Sequence, residues 1–125
     1  MKITIETIPH SRQRYNTVGD YVKYDDGRIA IFVSELGNEA YEQAVALHEL
    51  IELFLVLNRD IKIDYIDAFD IAFEAKRQPG NVDEPGDDPA APYQNEHSIA
   101  TAVERLFTAA CGVKWHDYNK ACMEA

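Results

Sequence analysis

The chain has 125 residues, enough for one domain with an apolar core and too few for two. Hydrophobic residues make up 46% of it, as in an ordinary globular protein. Aspartate and glutamate number 22 against 12 lysines and arginines, and the net charge of -10 argues against binding to a nucleic-acid backbone. The acid excess suits a bound cation, although most such excess is solvated surface.

The cysteines and the N-terminus indicate a cytoplasmic protein. Cys111 and Cys122 lack metal-ligand spacing and are too few for a disulfide framework, so we expect two reduced thiols. No segment reaches the roughly 18 apolar residues that cross a bilayer. Residues 1–8 alternate in polarity and do not resemble a signal peptide.

The N-terminal part, residues 1–36, has the pattern of a small β-sheet. Residues 2–8 alternate between apolar and polar side chains, which predicts a strand. Residues 21–24 and 28–34 flank the Asp-Asp-Gly sequence at 25–27, which is a strong hairpin signal. We therefore predict an antiparallel sheet of about three strands.

Three main helices are predicted to follow and to pack on the sheet in an α+β fold. The first spans 38–57, with Asn38 as its N-cap, and the second spans 64–76. The third spans 95–111 and stops at Gly112.

The predicted domain, residues 1–125, also contains a long loop and a C-terminal tail. The loop, 78–95, holds four of the five prolines, and such a loop is usually functional or disordered. It precedes the third helix directly and is placed to act as a lid. The tail, 113–125, contains Trp115 and Tyr118 and is predicted to form a short packed helix.

Fourteen consecutive residues of the first helix include eleven apolar ones, and the other three are His48, Glu49 and Glu52. At about 100° per residue these three share one sector with Val45 and Val56. A lone buried carboxylate costs several kcal/mol, so it normally neutralises, pairs or binds a metal. This polar island in an apolar face favours a metal or catalytic site over a buried network or a short exposed patch.

The second helix carries Asp67, Asp70 and Glu74 at i, i+3 and i+7, with no lysine or arginine among residues 64–75. The simplest interpretation is the solvated edge of an amphipathic helix. Like charges one turn apart are slightly destabilising, and a cation between them would remove that cost.

The third helix offers Glu96, His97 and Glu104, of which the last two are seven residues apart and share a face. Arg105 is an alternative partner for Glu104. His97 lies in the first turn, where the helix dipole disfavours a cation, so we expect a neutral imidazole able to bind a metal.

A small sheet, a helix with His-Glu-x-x-Glu and a later helix with further ligands together resemble a minimal zincin, over about half of the chain. The resemblance implies a metal-dependent hydrolase of a peptide or small molecule, with His48 and Glu52 as ligands. Glu49 would polarise the metal-bound water, and His97 or Glu104 would complete the site. Zincins have histidine where this chain has Glu52, so manganese, iron and magnesium compete better with zinc.

A second resemblance uses carboxylates alone. Glu49 and Glu52, followed by Asp67 and Asp70, are similar to the Glu-x-x-Glu and Glu-x-x-Asp pattern of MazG-like nucleotide pyrophosphohydrolases. That family implies magnesium held against substrate phosphates by four carboxylates of two helices. This chain departs from the pattern in His48, in Asp67 and in its leading sheet.

A third hypothesis is a structural or interaction protein without catalysis. The hairpin, Leu-His-Glu-Leu-Ile-Glu, Asp-Ala-Phe-Asp, Glu-Pro-Gly-Asp-Asp and Glu-His together resemble small proteins of bacteria and phages. That resemblance implies no activity. The polar island would then be a buried network or a structural metal, and an oligomer is compatible with all three hypotheses.

Overall fold

The computed structural model describes residues 1–125 and has the α+β architecture predicted from the sequence. One sheet contains β1 (Ile3–Ile8), β2 (Gly19–Lys23) and β3 (Ile29–Ser34). Four helices follow, namely α1 (Glu39–Asn58), α2 (Ile63–Ala75), α3 (Gln94–Ala110) and α4 (Trp115–Met123). None of them combines the length and the apolar character needed to cross a membrane.

The sheet is mixed, which corrects the expected all-antiparallel arrangement. β2 and β3 form the predicted antiparallel hairpin, whereas β1 pairs parallel with β3, with Ile3 opposite Ile29. The strand order β1-β3-β2 puts the most apolar strand in the centre, where both of its edges are paired. Because the tight hairpin places β2 on one edge of β3, β1 adds to the other edge, and residues 9–28 form the long crossover that parallel strands require.

The helix α1 packs between the sheet and α3. The Asn38 side chain caps it as predicted, since its Oδ1 accepts a hydrogen bond from the Tyr41 amide at 3.2 Å. His48 and Glu52 are buried together with the apolar residues of the predicted sector. The polar island therefore lies in the interior and not on a solvated face.

The loop between α2 and α3 has only one short 3-10 turn, Pro85–Asp87, which packs against both helices. Arg77 anchors the loop by donating hydrogen bonds to the backbone carbonyls of Asn81 and Asp83. The predicted helix in the tail is α4, and its Tyr118 is fully buried. The loop and α4 thus close two sides of the space around α1 and α3.

Leu53 lies on the buried side of α1 and is 0% exposed, whereas Leu106 on α3 is 72% exposed. We expect Leu53→Ala to lower the free energy of unfolding by about 2–5 kcal/mol, because it leaves a cavity in the core. Leu106→Ala, the same substitution on a helix surface, is expected to change it by less than about 0.5 kcal/mol. Urea denaturation of both variants checks this, and equal effects would contradict the packing described.

Candidate metal centre

Two helices bring three potential ligand atoms together: His48 and Glu52 lie one turn apart on α1, and His97 lies in the first turn of α3. His48 Nε2 is 3.2 Å from Glu52 Oε2 and 3.2 Å from His97 Nδ1. His97 Nδ1 is 2.9 Å from Glu52 Oε2. Ligands bonded at 2.0–2.1 Å to one tetrahedral zinc stand about 3.3 Å apart. The three atoms therefore have the spacing of one face of a metal coordination sphere.

Further side chains form hydrogen bonds with two of these potential ligands, on the sides that face away from the ligand group. Glu104 Oε1 is 2.7 Å from His48 Nδ1, and the Tyr118 hydroxyl donates to the other oxygen of Glu104. The Tyr21 hydroxyl donates to Glu52 Oε1 at 2.9 Å. A proton held on His48 Nδ1 by Glu104 leaves the Nε2 lone pair facing the other ligands, and such outer partners are usual at metal sites.

The structure separates the two residues predicted as alternative third ligands. His97 joins His48 and Glu52, whereas Glu104 lies behind His48 and acts on its orientation. Arg105, the alternative partner for Glu104, instead stacks on Trp115, with its guanidinium carbon 4.2 Å from the ring centroid. Glu104 is therefore left free to accept from His48 and from α4.

Without a metal, hydrogen bonds and ion pairs between the histidines and the Glu52 carboxylate hold the three buried side chains together. Burial opposes a charge on His97, but the carboxylates of Glu52 and Glu84 outweigh it and raise the pKa of His97 to about 10. Burial also opposes ionisation of Glu52, but His48 and His97 lower the pKa of Glu52 to about 2. The neutral His97 expected from the helix dipole is thus wrong for the metal-free protein. A dipole contributes about 1 kcal/mol or less, and the adjacent carboxylate has the larger effect.

Glu49, the predicted catalytic residue, borders the same cavity and forms no hydrogen bond. Its side chain rests on β2 at Gly19, where a Cβ atom would lie 2.7 Å from Glu49 Oε1. Burial and the neighbouring charge of Glu52 raise the pKa of Glu49 well above its usual range. A carboxyl group without a partner and with a raised pKa is suited to accept and release a proton.

The ligand atoms face a cavity of about 520 Å³, the size of a small-molecule site. Ten aspartates and glutamates border it, against two arginines, Arg77 and Arg105. Negative charge focused in a concave space attracts cations and repels phosphates. The surroundings of the three potential ligands therefore attract cations and repel polyanions.

Asp67 and Asp70 border the cavity but do not join the ligand group. Arg14 donates to both carboxylate oxygens of Asp67, at 3.1 and 3.3 Å. Asp70 accepts hydrogen bonds from the hydroxyls of Tyr15 at 2.9 Å and Tyr93 at 2.6 Å. The four carboxylates of the second resemblance are therefore not gathered around one point.

Sequence reasoning missed the partners that surround the ligands. The alternation of β2 turns Tyr21 inward, but nothing in the pattern shows that its hydroxyl reaches Glu52. The loop acids Glu84 and Asp87 lie 2.9 and 3.4 Å from His97 Nε2, and the only signal for them is their place just before α3. Periodicity describes one element at a time and does not report contacts between elements.

Comparison with protein-family models, with curated proteins and with solved structures finds no match to this chain. The resemblances to zincins and to MazG-like enzymes therefore stay predictions from sequence motifs. Any function has to be argued from the geometry of the site.

The raised pKa of His97 makes the stability of the metal-free protein depend on pH. The charged form stabilises the fold fully below the unfolded pKa of about 6.5, and this contribution is lost as the pH rises toward about 10. We expect His97 to lower the free energy of unfolding across this range by up to about 1.4 kcal/mol per pH unit. His48 adds to the fall, because burial opposes its charge but Glu104 and Glu52 outweigh burial and raise the pKa of His48 as well. Urea denaturation with a chelator present, from pH 6.5 to 9.5, measures the slope.

The matched variants are His97→Gln, which removes the group, and His116→Gln, which changes an exposed histidine. The first is expected to make the slope shallower, and the second is expected to keep it as in the unsubstituted chain. A His97→Gln slope as steep as that of the unsubstituted chain would show that His97 does not carry the linkage.

Proposed function

We propose that this chain is a divalent-metal-dependent hydrolase of the zincin-like type, with His48, Glu52 and His97 as metal ligands. One observation carries the proposal: His48 Nε2, Glu52 Oε2 and His97 Nδ1 lie within 3.2 Å of one another in a buried, acidic cavity. Three lone-pair donors facing one point are stable only around a cation, which is either a proton or a metal.

The donor set supports zinc as the first choice of metal. Two imidazoles and one carboxylate form the protein ligands of several catalytic zinc sites and also of non-haem iron(II) sites. His97 supplies a second imidazole, so the set contains two nitrogen ligands in addition to the carboxylate of Glu52. Manganese and iron accept the same donors, whereas magnesium prefers oxygen ligands and is the least suited.

The chain's own residues divide the chemistry between them. A metal held by the three ligands would lower the pKa of bound water and polarise a carbonyl. Glu49 would take the proton from that water and pass it to the leaving group, which is the work of a general base and then a general acid. The positive metal would bring the raised pKa of Glu49 back down, so that Glu49 begins the reaction ionised.

The size and charge of the cavity favour a small molecule or a short peptide that is neutral or cationic. A nucleoside triphosphate would meet the same negative field, so the magnesium pyrophosphohydrolase alternative has less support. Both cysteines are free, which fits a reducing compartment, and we propose the cytoplasm.

Metal binding tests the ligand assignment. We expect Zn²⁺ to bind tightly to the unsubstituted chain and to bind more than about 100-fold more weakly at this site in Glu52→Gln, because a direct ligand is lost. Glu104→Gln, which changes only an outer partner, is expected to cost about 10–100-fold. Calorimetric titration with Zn²⁺ measures both effects.

The control is Asp67→Asn, which removes a cavity carboxylate that pairs with Arg14 and leaves the three ligands intact. It is expected to bind Zn²⁺ as the unsubstituted chain does. Weakened binding in both Asp67→Asn and Glu52→Gln would favour the four-carboxylate alternative, which uses both residues, and no binding to the unsubstituted chain would remove both enzyme hypotheses.

Catalysis is tested separately at Glu49. The Zn²⁺-loaded chain is screened on peptide, amide and ester substrates, and Glu49→Gln is expected to keep the metal while losing about 10²–10⁴-fold in rate. The control is Glu39→Gln, an exposed position at the start of the same helix, which is expected to keep full activity. Full activity in Glu49→Gln would contradict the assigned role, and a metal-loaded chain inactive on the whole panel would favour a structural metal.

A further inference from the structure

The second ring nitrogen of His97 is a buried polar atom without a hydrogen-bond partner. His97 is only 6% exposed. Its Nδ1 atom faces His48 and Glu52, whereas its buried Nε2 atom faces the 78–95 loop. Glu84 Oε2 is 2.9 Å from it and Asp87 Oδ1 is 3.4 Å from it. Neither oxygen lies where an N–H group would direct its proton, although both are close enough.

The local sequence places these acids around the nitrogen. Glu84 and Asp87 flank Gly86, which belongs to the 3-10 turn Pro85–Asp87. A Cβ atom on Gly86 would lie 2.4 Å from His97 Cγ, so only glycine lets the turn rest directly on the imidazole ring. Close contact between the turn and the ring brings both carboxylates to the same edge of His97.

We propose that His97 Nε2, Glu84 and Asp87 form a second divalent-cation site, and that His97 bridges this site to the first. The three ligand atoms of the second group all lie within 4.8 Å of one another. Two carboxylates and one imidazole suit Zn²⁺, Mn²⁺ and Co²⁺. This site goes beyond the proposed hydrolase, which needs one cation, and only the bridge rests on the first site.

The charges of the ligands support a pair of cations. Glu84 and Asp87 contribute two negative charges at the second site, and Glu52 contributes one at the first. Coordination of His97 through both ring nitrogens would release both ring protons to solvent, and the negative charge of the imidazolate would reduce the repulsion between the two cations.

The two sites differ in access to solvent. The side chains of Glu84 and Asp87 are 57% and 60% exposed, whereas those of His48 and Glu52 are 9% and 5% exposed. Exposed carboxylates are better solvated and their pairing is worth less, so the second cation binds more weakly and exchanges with the medium. We infer that the first site fills before the second.

Equilibrium dialysis against Zn²⁺, followed by elemental analysis, counts the cations held per chain. We expect two for the unsubstituted chain and one for the double variant Glu84→Gln/Asp87→Asn. The matched control, Asp83→Asn/Asp88→Asn, removes the same charge from the same loop and is expected to keep two. Thermal melting followed by circular dichroism checks that each variant retains the fold.

The bridge is tested by the two histidines. His48→Gln is expected to keep one Zn²⁺, at the second site, whereas His97→Gln is expected to keep none, because His97 serves both. One Zn²⁺ in the unsubstituted chain, or two in Glu84→Gln/Asp87→Asn, would overturn the second site and leave the proposed hydrolase standing. No Zn²⁺ at all in the unsubstituted chain would overturn both proposals. One Zn²⁺ retained by His97→Gln would overturn the bridge.

Discussion

The carboxylate of Glu52 is the constraint on which the rest of the structure depends. It lies in the interior, 4% exposed, between the sheet and α3, where an ionised group without partners would cost several kcal/mol. Tyr21 satisfies one oxygen from β2, and His48 and His97 satisfy the other from α1 and α3. Three separate elements are therefore positioned by a single buried charge.

Further hydrogen bonds and ion pairs connect the C-terminal half of the chain to the residues around Glu52. His48 needs Glu104, and Glu104 in turn accepts from Tyr118, which fixes α4 against α3. His97 draws the loop acids toward it on its other side. Buried ionic networks are weak sources of stability, because an apolar core of similar volume is often as stable. This small expected contribution to stability supports the proposal that the network binds a cation.

Local signals were sufficient for the helices and for the buried polar pair on α1. Asn38 marks the start of α1, and two polar side chains in an apolar sector identify His48 and Glu52, because burial has a known cost. The parallel pairing of β1 was not predictable, since strand partners are set by contacts distant in sequence. A helical wheel shows which face of a helix a side chain lies on, but not which residues of other helices it contacts. The choice between His97 and Glu104 therefore required the structure.

Anomalous diffraction at the zinc absorption edge, from crystals grown with Zn²⁺, tests the central claim most directly. The account predicts a peak bonded to His48 Nε2, Glu52 Oε2 and His97 Nδ1, at about 2.0–2.2 Å from each. Zinc bound only at other residues, with these three side chains still hydrogen-bonded to one another, would contradict it.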